Sequence, residues 1–259
     1  MICLRLSHRE GGDPVQIQVC PNGTPGLVFQ VGAGEPAISR IATRSMEFSG
    51  FPPIFLHGQG SEPSRMHFAA GAITVLQVAL QPQALSSLFG LDASDLPRGL
   101  LSAPEFGGED LLRQLLSTDR DETRIQAVWS FLEGKFEQGL PRDELVELSL
   151  DLIHRGIGTV TVRGLLAVLP LSERQFQKRF RRVVGCPPQR YIRVKRINEA
   201  LRLMKTGGYQ TLSDVAHALN FYDQSHFIRE IKAFSWLTPK GIHQKIGELR
   251  QDETGSSWE

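Results

Sequence analysis

Two stretches decide the fold: TVRGLLAVLPLSERQFQKRFRRVV at residues 161–184 and TLSDVAHALNFYDQSHFIREIKAF at residues 211–234. Each opens on a threonine, runs through a short apolar-periodic segment, breaks, and restarts at a second capping residue. In the first, Thr161 caps a helix of 162–169 with Leu165, Leu166 and Leu169 on one face. Pro170-Leu171 interrupts it, and Ser172 caps a second helix, Glu173–Val184. Gly185 ends that helix, and Pro187-Pro188 forbids its continuation. In the second stretch Thr211 caps 212–219, Asn220-Phe221 turns, and Asp223 caps a helix reaching Phe234. Between the two runs a long helix, about 189–205, with Tyr191, Ile192, Ile197, Ala200, Leu201 and Met204 apolar, stopped by Gly207-Gly208. Helix, turn, helix thus occurs twice, joined by one long helix.

In such a unit the first helix braces the second, whose outer face fits the ~12 Å wide major groove of DNA. The second helix then needs an apolar inner face and a polar, cationic outer one. In Glu173–Val184 the inner positions are Phe176, Phe180 and Val183, and the outer stripe is Arg174, Gln177, Lys178 and Arg181. Arg and Lys pair with guanine O6 and N7, and Gln with adenine N6 and N7. Arg179 and Arg182 flank the stripe as phosphate candidates. In 223–234 the inner positions are Phe227 and Ile231, and the outer ones Gln224, Ser225, Ile228, Arg229 and Lys232. A single helix of this kind reads more readily as a solvated surface helix. The repeat is what favours nucleic acid.

These residues resemble the AraC family of transcription regulators. The second unit's pattern stands here as Val215-Ala216, Asn220-Phe221, Ser225-His226-Phe227, Ile231-Lys232 and Thr238-Pro239. The first unit's pattern stands as Ser172 to Phe176, Phe180 and Gly185-Cys186-Pro187-Pro188. The joining helix matches as Tyr191-Ile192 and Arg196-Ile197-Asn198-Glu199-Ala200. The resemblance covers 145–245. It implies double-stranded DNA as partner, RNA polymerase as a second partner, and control by an N-terminal sensing or dimerising domain. Four positions depart from the pattern: Pro170 and Asn220 stand for turn glycines, Leu166 for a small alanine, and Trp236 for a glycine.

Of the 259 residues 41% are hydrophobic and 22% charged, ordinary for a globular protein with room for two domains. No run approaches the ~18–20 apolar residues of a membrane span, and no signal-peptide pattern opens the chain. A cytoplasmic protein without a membrane partner is expected. Cys3, Cys20 and Cys186 are odd in number and far apart, so neither a disulfide framework, a metal site nor a cofactor is expected. The net charge of +1 conceals a division. Residues 1–149 hold 11 Lys and Arg against 18 Asp and Glu, a charge of −7. Residues 150–250 hold 18 against 7, a charge of +11, and the last nine residues add −3. A basic half joined to an acidic one is expected where only one half faces a polyanion.

The first 80 residues read as β, in short runs such as 15–19, 27–31 and 73–78 between Gly and Pro clusters. Helical periodicity follows in 82–89, 108–116, 122–138 and 142–155. The fold class is therefore α+β: a small N-terminal β barrel or sandwich with helices, within 1–140, and an all-α domain of two helix-turn-helix units, within 145–250. Pro21-Asn22-Gly23, Gly58-Gln59 and Gln81-Pro82 resemble the β-rich sensor half of one branch of the same family. A small apolar or amphipathic effector between the strands would be lined by Phe29, Met66 and Phe68. A stripe of Ile125, Val128, Trp129, Leu132 and Phe136 is more often a core face, and is also the first candidate for a homodimer surface. His57, Glu62 and His67 lack the ordered set of a metal-binding barrel and read as surface or core residues. Two rivals stand beside a DNA-binding regulator. One is an enzyme or DNA-repair protein with a DNA-binding appendage, for which Cys20 is the one plausible nucleophile, with no base beside it. The other is an adaptor that binds protein, against which the basic stripes argue.

Overall fold

A computed structural model describes residues 3–33, 36–60, 62–96, 99–245, 250–252 and 255–258. The N-terminal half is a two-sheet sandwich with a helical layer on one side. One sheet contains β1 (Cys3–Arg9), β3 (Gly26–Gly32), β6 (Ile54–His57), β8 (Ile73–Ala79) and β9 (Leu100–Ser102), in the order β1-β8-β3-β6-β9. The other contains β2 (Val15–Cys20), β4 (Ile38–Ala42), β5 (Glu47–Ser49) and β7 (Ser64–Phe68), in the order β2-β7-β4-β5. Pairing is antiparallel throughout. The two sheets share no strand, so of the two expected forms the sandwich is found rather than the closed barrel. The C-terminal strands β10 (Arg250–Asp252) and β11 (Gly255–Trp258) form a hairpin whose β11 pairs with β2, extending the second sheet.

Alternation along the strands explains the layering, because successive side chains face opposite sides of a sheet. Leu27, Phe29, Ile54, Leu56, Leu76 and Val78 face the helical layer. There they meet α1 (Ala84–Phe89), α2 (Ala103–Phe106), α3 (Glu109–Leu116) and α4 (Asp121–Glu137). The intervening Val28, Phe55 and Val75 face the second sheet with Ile38, Met66 and Phe68. Phe29 is therefore not the cavity-lining residue expected from the sequence. It points into the helical layer, where the Arg124 guanidinium lies 5.5 Å from its ring centroid. The α4 stripe is split in the same way. Val128 and Leu132 are buried in the helical core, while Trp129 and Phe136 remain 39% and 68% exposed.

The basic half is built from α5 (Glu144–Arg155), α6 (Val162–Leu166), α7 (Glu173–Val184), α8 (Pro188–Thr206), α9 (Leu212–Ala218), α10 (Gln224–Ser235) and α11 (Pro239–Lys245). It has two apolar cores. The first joins α5, α6, α7 and the start of α8 around Ile153, Leu165, Phe176, Phe180 and Tyr191. The second joins the rest of α8 to α9, α10 and α11 around Ile197, Leu201, Val215, Phe227 and Ile231. The helix α8 belongs to both. Among the described residues no helix is long and apolar enough to cross a membrane.

Candidate nucleic-acid interface

Both ends of α7 are fixed by the residues that the sequence placed there. The Ser172 hydroxyl accepts from the Gln175 amide at 3.3 Å, and the Gln175 side chain accepts from the Ser172 amide at 3.0 Å, a reciprocal cap that satisfies two orphan donors. At the other end Gly185 takes φ 90°, in the left-handed region. The inner face is closed by aromatic packing: Phe176 and Phe180 have ring centroids 5.6 Å apart, and Phe180 and Tyr191 5.7 Å. Fully burying each Phe contributes ~1.5–3 kcal/mol, so the orientation of α7 about its axis is not free. Arg174, Gln177, Lys178, Arg181 and Arg182 are consequently all exposed on the outside. Gln177 rests on Glu173, donating to its carboxylate at 2.9 Å.

Arg179 is a correction. Expected as a phosphate contact, it is half-buried and donates twice to Asp143, at 2.8 and 2.9 Å. Asp143 also caps α5 by accepting from the Val146 amide at 3.1 Å. Burial pushes the Asp143 carboxyl up. The Arg179 and Val146 hydrogen bonds and the charges of Arg179 and Arg182 outweigh burial and hold it below its ordinary value. Arg179 thus ties α7 to α5, its guanidinium directed at Asp143 rather than outward with the exposed stripe.

In the second unit the Thr211 hydroxyl accepts from the Asp214 amide at 3.2 Å, and the Asp214 carboxylate accepts from the Thr211 amide at 2.6 Å. Asn220 takes φ 54° in the turn, a conformation that asparagine tolerates and that the family's glycine would adopt freely. Phe227 and Ile231 are fully buried, while Gln224, Ser225, Arg229 and Lys232 are exposed, with Ile228 half-buried beside them. Glu230 is engaged by Arg193 of α8, which leaves Arg229 and Lys232 as the outward cations of α10. Trp236, in place of a glycine, takes φ 55°. That conformation costs ~1–2 kcal/mol for a side chain of this size. The Arg65 guanidinium, 4.9 Å from the indole centroid, offsets part of the cost.

Arg65 belongs to the N-terminal sandwich, and it is one of several groups that sequence reasoning missed because their role exists only across the junction. Lys195 of α8 donates to the Asn22 carbonyl at 2.8 Å, and Asn198 donates to the Pro21 carbonyl at 2.8 Å. Gln18 donates to the Ser235 carbonyl at the end of α10. Cys20 is buried in the core of the second unit. The turn Pro21-Asn22-Gly23, legible only as strand punctuation, is therefore a foot standing on the joining helix. Burial brings the Lys195 ammonium down to about 8. At the first unit, the end of α7 packs against a 3-10 turn, Ala93–Asp95, and against α1. There the Cys186 thiol donates to the Gln59 side chain at 3.9 Å. The acidic half thus grips both units, and it leaves the outer faces of α7 and α10 open.

A cavity of about 1810 Å³ runs between the two sheets and ends at this junction. Its apolar wall includes Val28, Phe48, Phe55, Met66, Phe68 and Val75, and its far end includes Arg181, Cys186 and Arg190. Of the three expected lining residues, Met66 and Phe68 are there and Phe29 is not. Near the junction the buried Gln59 amide nitrogen has no partner among the described residues. Burial lowers the pKa of His57, which a hydrogen bond to the Gly58 carbonyl only partly opposes. Glu62 accepts from the Ser45 hydroxyl, and Arg40 donates to the His67 ring nitrogen Nε2 at 3.3 Å. Among the described residues no cluster of three or more His, Cys, Asp or Glu side chains would hold a metal ion. Cys20 is 1% exposed, and burial pushes its thiol far above the ordinary range. It has neither the access nor the thiolate that a nucleophile needs.

Comparison with known proteins agrees with this geometry. Residues 165–245 match the family described as a helix-turn-helix domain, and residues 3–100 match a domain of unknown function, DUF6597. YidL of Escherichia coli (strain K12), an HTH-type transcriptional regulator, is 35% identical over 124 residues, 46% of this chain and 40% of that protein. RhaS of Pectobacterium atrosepticum, an HTH-type transcriptional activator, is 28% identical over 165 residues, 63% of this chain and 53% of that protein. The chain thus spans about half the length of these relatives or less. The fold is that of ToxT from Vibrio cholerae, with a TM-score of 0.51 at 14% identity over 95% of this chain and 98% of that one. A second ToxT structure, bound to (E)-4-(8-methylnaphthalen-1-yl)but-3-enoic acid, is equally similar, with the same TM-score, identity and coverage.

Proposed function

We propose that the chain is a transcription regulator of the AraC family, which the helix-turn-helix match over residues 165–245 supports, and that it acts by reading two successive major-groove segments of double-stranded DNA. In this reading residues 145–250 are the DNA-binding domain. Arg174, Gln177, Lys178 and Arg181 of α7 contact base edges, Arg182 contacts phosphate, and Gln224, Ser225, Arg229 and Lys232 of α10 read the second segment. The observation that carries it is the pairing of two exposed polar, cationic helix faces with two buried aromatic ones on a single joining helix. The 19 residues of α8 span ~28 Å at ~1.5 Å each. With the helix radii added, α7 and α10 reach about one DNA turn, ~34 Å, apart.

Residues 1–140 form the sensing and dimerising domain. Met66 and Phe68 line the site of a small amphipathic effector, an apolar body with a polar end. The apolar cavity wall supports this, as does the aromatic butenoic acid bound by a protein of the same fold. An effector filling the cavity would touch the end of α7 directly, since Cys186 and Arg181 line it. Trp129 and Phe136 form the homodimer surface, and RNA polymerase is the further partner that the family implies. The test is selection of bound duplexes from a random pool by the full chain, followed by footprinting of a selected site. Two protected major-groove segments about 10 bp apart on one face, different in sequence, are expected. Protection of only 5–6 bp would show that α10 is structural.

A further inference from the structure

The second unit presents fewer outward cations than the first, and next to its reading helix stands an aromatic side chain that the fold does not use. Tyr222 is 91% exposed. The chain on either side of it is pinned. On one side the Phe221 amide donates to the Ala216 carbonyl at 2.9 Å. The Phe221 ring lies 5.1 Å from that of Phe227 and 5.8 Å from that of His226. On the other side the Asp223 carboxylate accepts from the His226 amide at 2.6 Å. Asn220, in the left-handed conformation, sets the turn before them. The backbone of Tyr222 is thus held in place while its ring is given to solvent, immediately before the Gln224 and Ser225 end of α10.

We propose that Tyr222 is a DNA-backbone contact of the second unit, its phenol O–H donating a hydrogen bond to a phosphate oxygen beside the groove segment that α10 reads. The inference rests on α10 being a reading helix. Residues at the edge of a reading helix fix its register by hydrogen bonds to phosphate, and tyrosine is among the side chains that do so. The outward cations of α7 are Arg174, Lys178, Arg181 and Arg182, against Arg229 and Lys232 in α10. A neutral donor at the second unit therefore adds hold that charge does not supply. As a hydrogen bond from a hydroxyl rather than an ion pair, this contact displaces no counterion, and it differs in that respect from every Lys or Arg contact. It also carries no sequence information.

The experiment measures binding of the full chain to a selected duplex and to an unrelated one, over a range of salt concentrations, for wild type, Tyr222→Phe and Tyr222→Ala. Tyr222→Phe removes one oxygen from a side chain already in water, so its thermal unfolding should match that of wild type. Roughly a ten- to hundredfold loss of affinity is expected from losing a hydrogen bond to a charged group. That loss should be equal on both duplexes, with the slope against salt unchanged, and Tyr222→Ala should lose at least as much. Wild-type affinity for Tyr222→Phe would overturn the proposal, and so would a loss confined to the selected duplex, which would make Tyr222 a base reader. Absence of salt-dependent DNA binding by wild type would instead refute the function itself.

Discussion

Gly185 is where α7 ends and where it meets the N-terminal half, and replacing it by alanine separates those two roles. The comparison is Gly207→Ala. Both glycines cap a helix in the left-handed region, at φ 90° and φ 70°. Alanine there costs ~1–2 kcal/mol, less ~0.4–1 kcal/mol regained because the unfolded chain is stiffer. At Gly207 an added Cβ meets nothing within 4 Å, so about 1 kcal/mol should be the whole effect. At Gly185 the same atom would lie 2.8 Å from the Ala93 carbonyl oxygen and 3.4 Å from its carbon. Both are backbone atoms and cannot swing away. Forcing the 3-10 turn off α7 adds about 1–3 kcal/mol, the usual cost of overpacking. We expect Gly185→Ala to lose about 2–4 kcal/mol in urea unfolding of the full chain, against about 1 for Gly207→Ala. Gly185→Ala alone should also speed labelling of Cys186, 7% exposed beside the displaced turn. Equal losses for the two variants, with Cys186 equally protected, would refute a close junction between α7 and the sandwich.

Arg174→Ala, Gln177→Ala or Lys178→Ala should relax preference at one or two base pairs and cost about 1–3 kcal/mol on a selected site, whereas Arg182→Ala should weaken all duplexes alike; full retained specificity in the first three would remove α7 as a base reader. Trp129→Asp should leave the full chain folded, since Trp129 is 39% exposed, but should abolish dimers in sedimentation. A wild-type chain that stays monomeric at high micromolar concentration would end the α4 interface. Asp143 has a depressed pKa in the folded state, so its stabilisation is complete above its unfolded value near 3.8 and is lost as pH falls through the lower folded value. Asp143→Asn should therefore be less stable at neutral pH and show a shallower acid-unfolding profile. Identical pH dependence in the variant and wild type would exclude the Arg179–Asp143 tie as its source.

The C-terminal helical half was legible because its signals are local. Caps, breakers and the 3.6-residue period act within a turn or two of chain, so Ser172, Thr211 and Asp223 start their helices, and Gly185 ends α7, where the sequence indicates. Amphipathic parity likewise turned Phe176 and Phe227 inward and Arg174 and Arg229 outward. Arg179 was misread because its partner Asp143 lies 36 residues away on another helix, beyond any periodicity. Phe29 was misplaced because period two assigns alternate residues to alternate faces, and only the packing of α1 to α4 on one face decides which is which. Of the described strands only β2, β3 and β8 were foreseen as runs; the others were not, since short strands draw their stability from neighbours that are distant in sequence. The foot at Pro21-Asn22-Gly23, the contact of Gln59 with Cys186 and the cavity ending at α7 exist only where two domains meet. By itself the sequence determined two helix-turn-helix units on a joining helix, with their exposed polar faces. The tertiary structure alone decided how the acidic half holds them, because contact between surfaces far apart in the chain depends on shape and distance rather than on local pattern.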